Sequence, residues 1–119
     1  MRIREYSNQG GQRVGYVFKC PGCTAWHRAR GSSDKFTEWH LVRTEPWDRG
    51  GGEPGPVWGF SGSVESPTFS PSLLIHPDGE IGHPRCHLFV VAGQIRYCAD
   101  SEHPLAGKTV DMLYAGRET

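Results

Sequence analysis

Short β-prone runs broken by glycine and proline recur along this chain, and a few hold a strand's period long enough to assign faces. Residues 14–18 (Val-Gly-Tyr-Val-Phe) read as a strand that leads straight into Cys20. Residues 36–42 alternate, with Phe36, Glu38, His40 and Val42 on one face and Thr37, Trp39 and Leu41 on the other. Trp39 and Leu41 are the large apolar members of the second set, so that face is expected inside. Strand character resumes at 57–60. Residues 66–75 carry Pro67 and Pro71, neither of which can donate to a central ladder, so an extended edge segment running into a short strand at 72–76 is predicted.

The clearest local pattern is Cys86 to Val91, then Ala92-Gly93, then Gln94 to Ala99. Two β-rich runs around a two-residue loop containing glycine predict a hairpin. Its register pairs Val91 with Gln94, Phe89 with Arg96 and His87 with Cys98. Cys86, Leu88, Val90, Ile95, Tyr97 and Ala99 then face the core, and His87, Phe89, Val91, Gln94, Arg96 and Cys98 face away. Elsewhere, Asn8 to Gly11 ends a polar 1–13 segment as a hairpin turn or loose arm. Residues 49–56 read as a flexible surface loop, 77–79 as a turn and 103–106 as one helical turn. Past that turn the tail is extended, with Val110, Met112, Leu113 and Tyr114 available for packing.

Composition narrows this picture. A chain of 119 residues is expected to form one domain, 1–119, and its 16 Gly, 9 Pro and 36% hydrophobic content favour many turns around a modest core. The net charge of zero removes any global pull toward nucleic acid or anionic membrane. A local surface of Trp26, His27, Arg28, Arg30, Trp39 and Trp47 keeps a nucleic-acid reading open, although scattered charges disfavour it. No apolar run reaches membrane-spanning length and the N-terminus has no signal-peptide core, so a reducing cytoplasm is expected.

In that compartment Cys20-Pro21-Gly22-Cys23 reads as a metal knuckle rather than a disulfide. A redox Cys-x-x-Cys would stand at a helix N-terminus after a strand, and the Pro-rich flanks predict no helix there. Seven residues could ligate: Cys20, Cys23, His27, Cys86, His87, Cys98 and His103. A closed Cys₃His site takes Cys86 as its third ligand. The fourth stays open between His103, His27 and His87, with His103 favoured by its place just past the hairpin. His40, His76 and His83 read as hydrogen-bonding surface residues and Cys98 as a small hydrophobe. Alternatively His27, His87 and His103 gather beside the knuckle as a catalytic cluster. Asp100 and Glu102 flank His103 and could orient its imidazole. Ala106-Gly107-Lys108-Thr109 is no phosphate loop, because Glu102 stands where that motif needs glycine.

Five ordered segments carry a family resemblance: Cys20-Pro-Gly-Cys23-x-x-x-His27, Trp58-Gly-Phe-Ser-Gly62, Ser66-Pro-Thr-Phe-Ser-Pro-Ser-Leu-Leu74, Arg85-Cys-His-x-Phe-Val-x-x-Gly-x-Ile95 and Asp100-x-x-His103-x-Leu-Ala-Gly-x-Thr-Val110. Over about residues 16–112 the chain resembles a family of small phage and prophage proteins of unknown function, sometimes mislabelled as ammonia monooxygenase. The resemblance implies a zinc-binding β module and matches Cys20, Cys23, His27, Cys86, His87 and His103. It does not require Cys98, it allows Cys where this chain has Ser101, and it makes 43–56 an insertion. Some bacterial relatives are encoded near ubiquitin-like conjugation enzymes, which implies an adaptor role. It supplies no reaction.

The expectation is therefore a mostly β fold with little helix: a small zinc-stapled antiparallel domain with a knuckle and a C-terminal hairpin. One structural zinc is expected on Cys20, Cys23, Cys86 and His103. The expected function is a phage-encoded interaction module that binds a host or phage protein in the cytoplasm of an infected or lysogenic bacterium, with enzymatic activity left open but disfavoured. The alternative is a small metal-dependent hydrolase using His27, His87 and His103.

Overall fold

The computed structural model describes residues 1–47, 54–76 and 82–115. Two antiparallel sheets hold nearly all the regular structure, as the mostly β reading predicts. The first has three strands in the order β1-β2-β3: β1 Arg4–Ser7, β2 Arg13–Lys19 and β3 Trp39–Arg43. The second has five strands in chain order: β4 Gly59–Gly62, β5 Pro67–Ile75, β6 Cys86–Val91, β7 Gln94–Tyr97 and β8 Thr109–Asp111. One helix, α1 Pro21–Ala29, follows β2. Ile3, Phe18 and Val42 from the first sheet's side meet Phe69, Leu73, Leu88, Val90 and Ile95 of the second in one buried cluster. Among the described residues no helix is long and apolar enough to cross a membrane.

The hairpin forms as its alternation predicts. Val91 pairs with Gln94 and Phe89 with Arg96, and the Cys98 N–H donates to the His87 carbonyl at 2.8 Å. Cys86, Leu88, Val90, Ile95 and Tyr97 are buried. Ala99 departs from the pattern, because the chain has already left β7 and it stands exposed in a turn.

Four expectations need correction. Of the two readings of 1–13, the hairpin turn forms and the loose arm does not: β1 pairs with β2, Ile3 is fully buried, and Asn8 Oδ1 caps the turn by accepting from the Gly10 and Gln12 N–H groups. On β3 the inner face is the one carrying His40 and Val42, which pair with the buried Phe18 and Tyr16. Trp39 is left on the outer face, where Lys19 and Arg4 lay their cations over its ring, and Leu41 is exposed. Aromatic bulk alone did not mark the core, because long cationic side chains can cover a ring from the solvent side.

The third correction concerns β5, which lies inside its sheet, between β4 and β6. The prolines are accommodated because Pro67 opens the strand and Pro71 falls where the register with β6 shifts, between Phe69 and Leu73. The fourth concerns 103–106, which forms a hydrogen-bonded turn rather than a helical one. Of the tail, β8 adds an edge strand and Met112 is buried, whereas Leu113 and Tyr114 are exposed. The expected turn at 77–79 and residues 48–53 of the expected insertion lie outside the described residues. On the flanks of that insertion, Gly55 donates to the Trp47 carbonyl at 2.9 Å and Trp47 Nε1–H to the Pro56 carbonyl at 2.9 Å.

Candidate active site and metal cluster

Cys20 ends β2 and caps α1. Its sulfur accepts from the Cys23 N–H at 3.5 Å, and Pro21, which has no N–H to leave unpaired, takes the first helical position. A helix thus starts at the Cys-x-x-Cys pair, where none was expected, so its absence cannot argue against a redox motif. What argues for metal is convergence. Cys20, Cys23, Cys86 and His103 are all buried, and their ligand atoms lie within 4.8 Å of one another. The Cys20 and Cys86 sulfurs are 3.9 Å apart, and Cys86 Sγ is 3.4 Å from His103 Nε2. Ligands of one tetrahedral ion, with bonds of about 2.3 Å to sulfur and 2.0–2.1 Å to nitrogen, stand roughly 3.8 Å and 3.5 Å apart. The four residues can hold a metal ion, and such a buried pair offers no approach for an exchanging disulfide.

The charges agree. Burial pushes the Cys20 thiol up, but hydrogen bonds from Cys23, Cys86 and His40 outweigh it and hold that thiol well below its usual range. Cys23 is pushed up chiefly by its hydrogen bond with Cys20, against an opposing one with Cys86, and Cys86 is pushed up by its hydrogen bonds with Cys20 and Cys23. Burial also lowers the His103 pKa, favouring the neutral imidazole a metal needs. Sulfurs this close repel one another's ionisation, and a divalent cation is the partner that would let all three ionise.

Packing holds the set in place. A Cβ on Gly22 would lie 2.3 Å from the His103 ring, so only glycine lets that imidazole reach the sulfurs. Tyr97, expected only as core, brings its hydroxyl to 3.2 Å from Cys20 Sγ and accepts from the Gly22 N–H. His40, expected at the surface, is buried with Nε2 3.5 Å from Cys23 Sγ.

β6 alternation turns the next residue away from this cluster. His87 faces outward from the sheet, opposite Leu74 of β5. Its N–H donates to Ser101 Oγ at 3.0 Å, and its carbonyl accepts from the same hydroxyl at 2.9 Å. On the ring, Nδ1 lies 3.1 Å from Asp100 Oδ1, and Nε2 lies 3.3 Å from Ser72 Oγ. A carboxylate only accepts, so Nδ1 carries the proton and Nε2 is free to accept from the serine hydroxyl. This relay of serine, imidazole and carboxylate has the form of the Ser-His-Asp arrangement used in acyl transfer, which is recognised by geometry rather than chain order. The serine–histidine separation is long, as such bonds often are before substrate binds. Trp58 steadies the serine by donating Nε1–H to its carbonyl at 3.0 Å.

Sequence reading named His87 but neither partner. Asp100 was assigned to His103, and it serves His87. Glu102 instead accepts from the Arg85 N–H at 2.8 Å. The predicted pairing of His87 with Cys98 was the available signal, since it carries the following turn, and Asp100 with it, past the imidazole. Cys98 lies there too, its ligand atom within 4.8 Å of those of His87 and Asp100, and burial followed by the Asp100 charge pushes its thiol up.

The gathering of His27, His87 and His103 that the alternative reading needed does not form. His103 belongs to the buried cluster, His87 to the relay, and His27 to a separate group with Glu38 and His83.

No curated protein and no solved structure matches the chain. The phage-encoded interaction module is overturned by the family comparison, which finds a bacterial protease family instead of a phage zinc-binding one. Residues 2–98, most of the chain and both Ser72 and His87, match the family described as bacterial ubiquitination-like system serine protease (BubE), and the chain belongs to that family.

Proposed function

We propose that this chain is a serine peptidase in which Ser72 is the nucleophile, His87 the general base and Asp100 the group that orients it. The observation that carries this reading is the relay itself, Ser72 Oγ to His87 Nε2 at 3.3 Å and His87 Nδ1 to Asp100 at 3.1 Å. The family description supports it.

Ser72 Oγ attacks the scissile carbonyl carbon while His87 Nε2 takes the hydroxyl proton. Asp100 stabilises the imidazolium that forms. His87 then gives that proton to the leaving amine as the carbon–nitrogen bond breaks, leaving an acyl ester on Ser72. A water molecule, deprotonated by His87, attacks the ester, and the proton returns to Ser72 as the acid product leaves.

The site is open rather than enclosed: the His87 and Asp100 side chains are 28% and 52% exposed. Leu74 and Phe89, both exposed, lie on the same outer face as His87. An open site with apolar flanks suits an extended segment of a protein substrate, and because the family description names a ubiquitination-like system, the substrate proposed is the tail of a ubiquitin-like protein.

Cys20, Cys23, Cys86 and His103 would hold one zinc ion, which supplies folding energy and no chemistry to the reaction. It belongs to the inner face of β6, and every reacting group stands on the outer face.

The test is cleavage of a ubiquitin-like protein carrying a C-terminal extension. Wild-type protein should release the extension, and Ser72→Ala should not while keeping wild-type metal content and melting. Undiminished cleavage by Ser72→Ala would remove Ser72 from the mechanism.

A further inference from the structure

The geometry points to a second divalent-metal site, formed by His27, Glu38 and His83, one helical turn along α1 from Cys23 of the sulfur cluster. The inference rests on these three residues alone and is independent of the peptidase reading.

Their ligand atoms lie within 4.8 Å of one another, and all three residues are half-buried. His27 Nε2 faces Glu38 Oε1 at 3.4 Å. Two oxygen or nitrogen ligands on one tetrahedral zinc-class ion, with bonds of about 2.0–2.2 Å, stand roughly 3.4 Å apart. A direct charged hydrogen bond would bring the pair to about 2.7–2.9 Å. His27 Nε2 is buried and makes no hydrogen bond among the described residues, although it points at a carboxylate. Shared coordination explains both the spacing and the missing bond. A His–Glu ion pair is the competing account of that spacing, and the His83 ligand atom beside both groups is what favours coordination.

The scaffold fixes these ligands before any ion arrives. His27 lies one helical turn after Cys23 on α1, so the helix that starts in the sulfur cluster also carries this imidazole. Glu38 is held on both sides of its backbone: its N–H donates to Thr24 Oγ1 at 3.0 Å, and its carbonyl accepts from the Cys20 N–H at 2.8 Å. The Phe36 ring packs 5.0 Å from His27 and Trp26 lies edge-on at 4.9 Å, which limits water around the imidazole. His83 meets His27 edge-on at 5.6 Å and is stacked on His76 at 4.5 Å.

Two imidazoles and one carboxylate suit zinc, cobalt or nickel rather than calcium or magnesium, which prefer oxygen. Three protein ligands also leave a fourth position for water or another small donor, whereas four protein ligands close the sulfur site.

The experiment titrates the full-length protein with Co²⁺, following absorption and metal content after desalting. The sulfur cluster reports itself by a sulfur-to-cobalt charge-transfer band, and a His₂Glu site adds bound cobalt without adding to that band. Wild-type protein should take up a second equivalent after the sulfur band has saturated. His83→Ala, and separately Glu38→Gln, should lose that equivalent and keep the sulfur band. Because Glu38 supports α1, His83→Ala is the decisive variant, with its melt as a folding control. Saturation at one equivalent in wild type, or a second equivalent retained in folded His83→Ala, would overturn the proposal. Absence of the sulfur band would instead count against the Cys20 cluster.

Discussion

Cys86 and His87 are neighbours in β6 and serve opposite faces of the sheet. Cys86 lies fully buried, 3.9 Å from Cys20 Sγ, while His87 stands partly exposed, 3.3 Å from Ser72 Oγ. The two-residue period of a strand therefore puts a candidate metal ligand and the proposed general base on consecutive residues without letting them meet. The separation has direct consequences, because damage on one face should leave a different signature from damage on the other.

Substitutions on the outer face should remove activity and spare the fold. Ser72→Ala and His87→Ala should abolish measurable cleavage, with unfolding free energy changed by no more than ~1 kcal/mol, since neither side chain fills the core. Asp100→Asn should cost less than the ~10⁴-fold known for a buried triad acid, because half of the Asp100 side chain is in water. Steady-state kinetics beside chemical denaturation separates these outcomes.

Substitutions on the inner face should remove the fold first. Metal binding of the structural type contributes on the order of 10–16 kcal/mol of apparent folding energy, as much as a whole domain's net stability of about 5–15 kcal/mol. Cys86→Ser, or a strong chelator, should therefore unfold the chain and abolish activity together. A chelated protein that stays folded and active would contradict the assignment, read by circular dichroism with a parallel metal assay.

Gly22→Ala tests the approach of His103 without touching a ligand. The new methyl carbon would overlap the imidazole at 2.3–2.6 Å, and the ring cannot yield without leaving the sulfurs. Metal affinity should fall at least as far as when a group supporting a ligand is lost, about 10–100-fold. A competition titration against a chromophoric chelator measures it.

Ser101→Ala should weaken both stability and turnover. Its hydroxyl is buried and bonds both backbone polar groups of His87, so its loss leaves the N–H without that partner and loosens the strand beneath the imidazole. About 1–3 kcal/mol of destabilisation is expected from unfolding curves, with kcat falling more than KM rises. Phe89→Ala should do the reverse and raise KM for a protein substrate, because Phe89 flanks the site without touching the reacting groups.

Much of the metal site was legible in sequence because its signals are local. The two-residue spacing of Cys20 and Cys23 and the alternation through Cys86 marked three members of the cluster, while the fourth stayed open between three histidines until the structure brought His103 beside them. The relay was not legible because it has no local motif. Ser72 comes from β5, His87 from β6 and Asp100 from the turn after β7, and their meeting depends on β5 lying beside β6. The prolines at 67 and 71 argued against that interior place, but Pro67 only opens the strand and a register shift accommodates Pro71. His40 was misread for a related reason. Trp39 and Leu41 looked like the inner face of β3, but the partner strand's Phe18 and Tyr16 determine which face turns inward.

The central claim is that Ser72 is an activated nucleophile, and intact-mass spectrometry after treatment with a fluorophosphonate tests it most directly. Wild-type protein with its metal in place should gain one covalent adduct, mapped by peptide digestion to Ser72. The adduct should be absent from Ser72→Ala and form far more slowly in His87→Ala. An unmodified wild-type chain that nevertheless cleaves its substrate, or an adduct that persists in Ser72→Ala, would contradict the claim.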